Sequence, residues 1–268
     1  MNKCIFTIAV NTMKEITRQA IFYWIAFGGI SLILFSFSFT LFAFGEEAKM
    51  IREMGISTIT MCCLCLASLS AANAISREIE KGTIMTLLSK PVNKTSILLG
   101  KFFGILGVVF LAFMVMGIFM TVSLCVKESL DYHTSLLTSF AKIGYATLFQ
   151  LIVSFLQVAI MCTITIAGSV YLPLISNLSC CVFIYIIGNL MHFFQYLFQG
   201  NAGGFPWYVT VFYVFFPNME GFSIVGMGSW SGKPFSLSYM VSLALYAILY
   251  MTFVTTLACE FFDKKECT

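Results

Sequence analysis

Charge is what this sequence has least of. Only 10% of its 268 residues are Asp, Glu, Lys or Arg, against about 25% in ordinary soluble domains. Hydrophobic residues make up 59%, and the mean hydropathy is +0.94. A soluble domain cannot hide that much apolar surface, because large exposed patches aggregate or bind something. Histidine is almost missing: His133 and His192 lie in different regions, and neither an HExxH nor a GxSxG pattern occurs. His133 reads as a loop residue and His192 as an interfacial or hydrogen-bonded one, so no catalytic residue is assigned. A phosphate loop is missing too. The nearest approach, Gly228 to Pro234, has Met227 where glycine is required and Pro234 where Ser or Thr should bind magnesium. The first eighteen residues lack the early apolar core and cleavage site of a secretory signal peptide.

Cysteine, by contrast, is plentiful, but its placement argues against both disulfides and metal. Cys62, Cys63, Cys65, Cys162, Cys180, Cys181 and Cys259 fall in apolar runs, where cysteine acts as a small hydrophobe. No second pair stands at zinc-ligand spacing from Cys62 to Cys65, so no metal site is assigned. The methionines are scattered, which favours packing over a copper path.

The apolar stretches are continuous for about 20 residues and lack strand alternation, so they read as membrane-spanning helices rather than barrel strands. Six charge-free windows emerge: about 21–44, 55–75, 102–126, 143–167, a fifth from the break at 170–173 to about 198, and 235–259. The connections between them differ in charge. Lys3, Lys14, Arg18, Arg77, Lys81, Lys90, Lys94, Lys101, Lys264 and Lys265, ten in all, fall on one side. Lys49, Arg52, Lys127, Lys142 and Lys233, five in all, fall on the other. The positive-inside rule then places both termini in the cytoplasm, which requires an even number of spans.

Residues 1–20 form an amphipathic segment. Lys3, Thr7, Asn11, Lys14 and Arg18 make one polar stripe, with Ile5, Ile8, Thr12 and Ile16 opposite. Such a helix lies in the membrane interface; a plain start-of-span anchor is the alternative. Residues 199–234 combine glycine, proline and aromatics, which suits an external re-entrant or interfacial excursion before the last span. Asn73, Gln150, Gln157, Asn177, Asn189 and Gln195 are polar residues within or near the spans, where such groups usually bond neighbouring helices. The scarcity of intramembrane charge argues against a proton- or ion-coupled carrier.

Residues 76–96 carry the most information. Gly82 stops the charged extension of the second span, Thr83 can cap a new helix, and Pro91 ends it. The short helix between them aligns Ile84, Leu87 and Leu88 as an apolar ridge outside the spans, which needs a protein partner or the lipid interface to cover it.

The pattern Glu78-x-x-x-Gly82-Thr83-x-x-x-Leu87-Leu88-x-x-Pro91, followed by Ile97-Leu98-Leu99-Gly100-Lys101, resembles the segment between spans two and three of ABC type 2 permeases. Within that family it is most similar to the permease of nitrous-oxide-reductase maturation transporters. Lys94-Thr95 departs from the arginine often found there in relatives, keeping the charge without the guanidinium fork. The resemblance implies one permease domain over 1–268: an all-α, six-span integral membrane protein with an N-terminal interfacial helix and a cytoplasmic coupling helix. It implies an exporter subunit that binds no cofactor itself, forms a homodimer (a heterodimer is the alternative), sits in the cell membrane and contacts no nucleic acid. It further implies that Glu78, Gly82, Thr83, Ile84, Leu87, Leu88 and Pro91 dock on a separate ATPase, which holds the Mg-ATP. The competing readings are a secondary carrier, an intramembrane enzyme and a membrane scaffold.

The charge asymmetry makes a topological prediction. With single cysteines in a cysteine-free background, an impermeant maleimide on intact cells should label positions 49, 127 and 233 but not 81. Labelling at 81 and not at 127 would invert the arrangement.

Overall fold

The computed structural model describes residues 2–36, 47–76, 94–132, 144–199, 216–222 and 237–264. Its elements, in chain order, are α1 (Asn2–Thr17), α2 (Ala20–Phe35), α3 (Glu47–Ala71), α4 (Lys94–Tyr132), α5 (Tyr145–Ser169), α6 (Leu174–Gln199) and α7 (Leu237–Lys264). All elements among the described residues are helical, which satisfies backbone polar groups internally where hydrocarbon offers no water.

Among the described residues, four helical segments are long and apolar enough to cross a bilayer: Glu47–Ile75, Thr95–Ser129, Thr147–Ser169 and Ser238–Phe262. A fifth arises if α1 and α2, bent by 66°, count as one broken span. Six windows were expected from the sequence. The two remaining windows, 21–44 and the fifth, hold α2 and α6. The 16 residues of α2 rise about 24 Å, less than the ~30 Å of a hydrocarbon core, and residues 37–44 of its window lie outside the described set. In the fifth window α6 runs Leu174–Gln199, 26 residues, and the side chains of 191–199 lie outside the described set.

The helices form a bundle centred on α3, α4 and α5, which pack against one another. In the span of α5, 67% of residues are buried, against 11% in that of α7, which leans on α5 from outside. On α2 only Phe22, Gly29 and Ile33 are buried, while Tyr23, Trp24 and Phe27 are exposed. Exposed aromatic and aliphatic side chains on these outer helices suit lipid rather than water.

Two contacts fix α3 and α4 as antiparallel neighbours. At one end Lys127 Nζ pairs with Glu47 Oε2 at 2.8 Å. At the other, the Lys101 ammonium donates to the carbonyl of Ala74. Arg52, assigned from sequence to a connection between spans, is instead part of α3 and 1% exposed. Lys101 and Glu128 are buried as well, so charge does enter the helical bundle.

The sequence placed the apolar face of α1 in lipid or at a simple anchor. The structure seats it on protein. Lys3, Thr7, Asn11, Lys14 and Arg18 are all exposed, while Thr12 and Ile16 are buried. The seat is a glycine face on α4. A Cβ on Gly100 would lie 2.7 Å from Ile8 Cγ2 and 3.2 Å from the Ile5 carbonyl. One on Gly104 would lie 2.8 Å from both the Ala9 carbonyl and Thr12 Cβ. Small residues at this spacing let two backbones approach closely, which is how helices associate where lipid removes the hydrophobic drive.

The break expected at 170–173 is present. Leu172 N–H donates to the Gly168 carbonyl at 2.9 Å, and α6 starts immediately after Pro173. Asn177 closes the corner by donating from Nδ2 to the Thr165 carbonyl at 3.1 Å, so it bonds a neighbouring helix as its residue type suggested. Residues 216–222, the described part of the 199–234 segment, turn inward. Met219 N–H donates to the Gly188 carbonyl on α6 at 3.2 Å, and Asn218 N–H to Tyr246 Oη on α7 at 3.1 Å. Met219 and Phe222 are buried.

Because Ala9 offers only backbone at the crossing, α1 cannot yield by a rotamer change. Gly104→Val should therefore cost about 1–3 kcal/mol of stability through overpacking. It should also raise hydrogen exchange across 5–16, whereas Gly28→Val, with nothing within 4 Å, should not.

Candidate functional site

All seven residues expected to dock on an ATPase, Glu78, Gly82, Thr83, Ile84, Leu87, Leu88 and Pro91, fall in 77–93, outside the described residues. The structure describes both sides from which that segment springs. On one side α3 ends in a π-helical turn, Ala72–Ser76. On the other, α4 opens at Lys94, and Ile97 and Leu98 are buried within its first two turns.

The second half of the sequence motif holds these two sides together. A π turn spaces its hydrogen bonds more widely than an α turn, which frees carbonyls at the helix end. Lys101 occupies one of them, on Ala74, and a cation near a helix C-terminus is also favoured by the helix dipole. Gly100, one residue earlier, receives Ile8 of α1. Ile16, Ala71, Ile75, Leu98 and Phe102 share one apolar core here, together with Ala258 and Phe262 of α7. Four helices thus converge where the 77–93 segment leaves the bundle. Lys101→Met should destabilise the chain by about 1.5–3 kcal/mol, the usual value of a charged hydrogen bond, and speed hydrogen exchange at 72–76.

The opposite half of the bundle holds a polar cavity of about 260 Å³ between α3, α5 and α6. Glu53, Ser57 and Thr60 line it from α3, Gln150, Ser154 and Gln157 from α5, and Tyr185 and Asn189 from α6. Asn189 Nδ2 donates to the Tyr185 carbonyl at 2.9 Å, and Thr60 Oγ1 stands 3.5 Å from Tyr185 Oη. Gln150 and Gln157 are 7% and 4% exposed, yet Gln150 Oε1 and Gln157 Nε2 have no hydrogen-bond partner among the described residues.

Of the six polar residues singled out from sequence, the structure brings Gln150, Gln157 and Asn189 together. Asn177 serves the α5–α6 corner, Asn73 lies in the π turn, and the side chain of Gln195, like that of His192, lies outside the described set. Glu53, Ser57, Thr60, Ser154 and Tyr185 were not singled out. A signal for them existed: 53, 57 and 60, like 150, 154 and 157, are spaced four and three apart, and 185 and 189 four apart. Each set is a polar stripe along one helix face.

A polar recess amid several apolar helices, and a four-helix joint beside an excursion from the bundle, suit a membrane component of a transporter rather than a soluble enzyme. The family described as ABC-2 family transporter protein matches residues 38–266, which takes in α3 to α7 and the intervening 77–93 segment. No curated protein matches the chain. With most of its length matched, and with a helical fold built for a bilayer, this multi-pass membrane protein belongs to the ABC-2 transporter family.

Proposed function

We propose that the chain is the permease subunit of an ATP-driven exporter, coupled through residues 76–96 to a separate ATPase that carries the Mg-ATP. The observation that carries this reading is the family match across 38–266, which takes in residues 76–96 and every helix from α3 onward. The joint at its base supports it. Motion imposed on 77–93 reaches α3 through the π turn and α4 through Lys101, and α1 rides on α4 at Gly100 and Gly104. Closure of an ATPase pair on nucleotide would then bias a rigid-body change in helix packing.

The finer architecture belongs to the same proposal. The chain has six spans, the first over the 21–44 window and the fifth along the 26 residues of α6, with both termini in the cytoplasm of a cell-membrane protein. Two copies form the pathway, a homodimer in the simplest case. The uncovered apolar faces of α2 and α7 are consistent with cover by lipid and by that second copy.

Within the segment, Ile84, Leu87 and Leu88 form the ridge that enters the ATPase, with Glu78, Glu80, Lys81 and Lys90 at its rim. Gly82, Thr83 and Pro91 set where the short helix starts and stops. Burying each of the three apolar side chains is worth roughly 1.5–3 kcal/mol. Changing Leu87 and Leu88 together to Asp should leave the chain folded in the membrane while abolishing copurification of the ATPase and its coupled turnover. Retention of a fully coupled ATPase by that double variant would overturn the assignment.

A further inference from the structure

The cavity between α3, α5 and α6 has a chemistry that the coupling reading does not use. Gln150 and Gln157 stand two turns apart on one face of α5, both more than nine-tenths buried, with Ser154 between them. The free carbonyl of Gln150 is an acceptor and the free amide of Gln157 a donor. Leaving either bare costs about as much as a lost hydrogen bond, and nothing in helix packing requires an amide there. The nearby Thr60 hydroxyl satisfies itself, Oγ1 donating to the Ile56 carbonyl at 2.9 Å. A glutamine amide in mid-helix has no such retreat, so its partner must come from outside the helix.

We infer that this cavity is a binding site for a neutral, hydroxyl- or amide-bearing group, such as a sugar-like headgroup or a small polyol. Three observations select that class. The site offers donors and acceptors side by side, which suits groups that both give and accept hydrogen bonds. Among the described residues its lining contains no Lys, Arg or His, so an anion finds no counter-charge there. Among the described residues its one carboxylate, Glu53, is exposed rather than enclosed, so a cation within the cavity finds no buried counter-charge. The cavity, at about 260 Å³, falls just below the ~300–1,000 Å³ of pockets that enclose a drug-sized ligand, so it takes a headgroup or fragment. The site rests on the transporter reading only for its purpose; as a binding site it stands on the geometry alone.

The test uses the purified full-length chain in phosphatidylcholine nanodiscs without any ATPase, so its outcome is independent of the coupling assignment. Binding of tritiated octyl β-glucoside is measured against octyl phosphate and octyltrimethylammonium, which keep the tail and change the head. The glucoside alone should bind saturably, and Gln150→Leu with Gln157→Leu should weaken it roughly tenfold, the equivalent of one or two hydrogen bonds. The same double variant should melt at a temperature no lower than the wild type, because it removes two unsatisfied amides; amides kept for packing would give a lower one. Competition by free glucose assigns a soluble ligand, and its failure assigns the headgroup of an amphipath; both support the site. No saturable glucoside binding, equal binding of the charged probes, or undiminished binding by the double variant would each overturn it.

Discussion

In hydrocarbon every polar group must find its partner within the protein, and this constraint organises the molecule more than any other. The backbone meets it by helix formation. The hydroxyls meet it by folding back on their own helices: Thr60, Ser68, Thr121, Thr163, Thr165 and Ser169 each donate to a carbonyl three or four residues earlier. These side chains are polar in the sequence and nearly apolar in the fold. Asn177 meets the constraint by reaching across to another helix, and Lys101 by capping the widened end of α3. Against that background Gln150 and Gln157 are exceptions, and exceptions to an expensive rule are where function is best sought.

The two halves of the bundle are built differently. Around Lys101 the structure is a dense joint in which glycine lets α1 touch α4 and a cation ties α4 to α3. Around Gln150 it opens into a polar recess between α3, α5 and α6. Helix α3 runs through both, from Glu53 at the recess to Ala74 at the joint. A shift imposed at one of its ends is carried along a rigid rod to the other, and helices of this kind move as bodies more readily than they deform.

How much of this could be read in advance depended on the physics in play. Membrane residence, helical class and the corner at Pro173 follow from hydropathy and local stereochemistry, which a single chain displays openly. The polar stripe of α1 was equally legible, because Lys3, Asn11 and Arg18 repeat with the helix. Its seat was not, for Gly100-Lys-Phe-Phe-Gly104 is a common arrangement and nothing in the chain marks which helix will fill it. Span limits shifted for a similar reason. Charge ends a hydropathy window, yet Arg52 and Lys101 are carried into the bundle. The cavity was half legible: Gln150, Gln157 and Asn189 stood out as amides, whereas Ser57, Thr60 and Ser154 were not singled out, and only tertiary placement brings them to one recess.

The crossing of α1 on α4 also bears on how the chain is made. Residues 2–17 leave the ribosome several seconds before Gly100 and Gly104, at about 5–20 residues per second. Through that interval the helix has no glycine face to rest on, and Ile5, Ile8 and Ile16 would be bare in water. Its exposed row of Lys3, Lys14 and Arg18 opposite those isoleucines is the pattern of helices that rest at a lipid surface with cations toward phosphate. Once Gly100 and Gly104 are in place, the isoleucine side of α1 meets protein while its cations stay exposed. The amphipathic stripe is in that sense a device of biogenesis as well as of the finished fold.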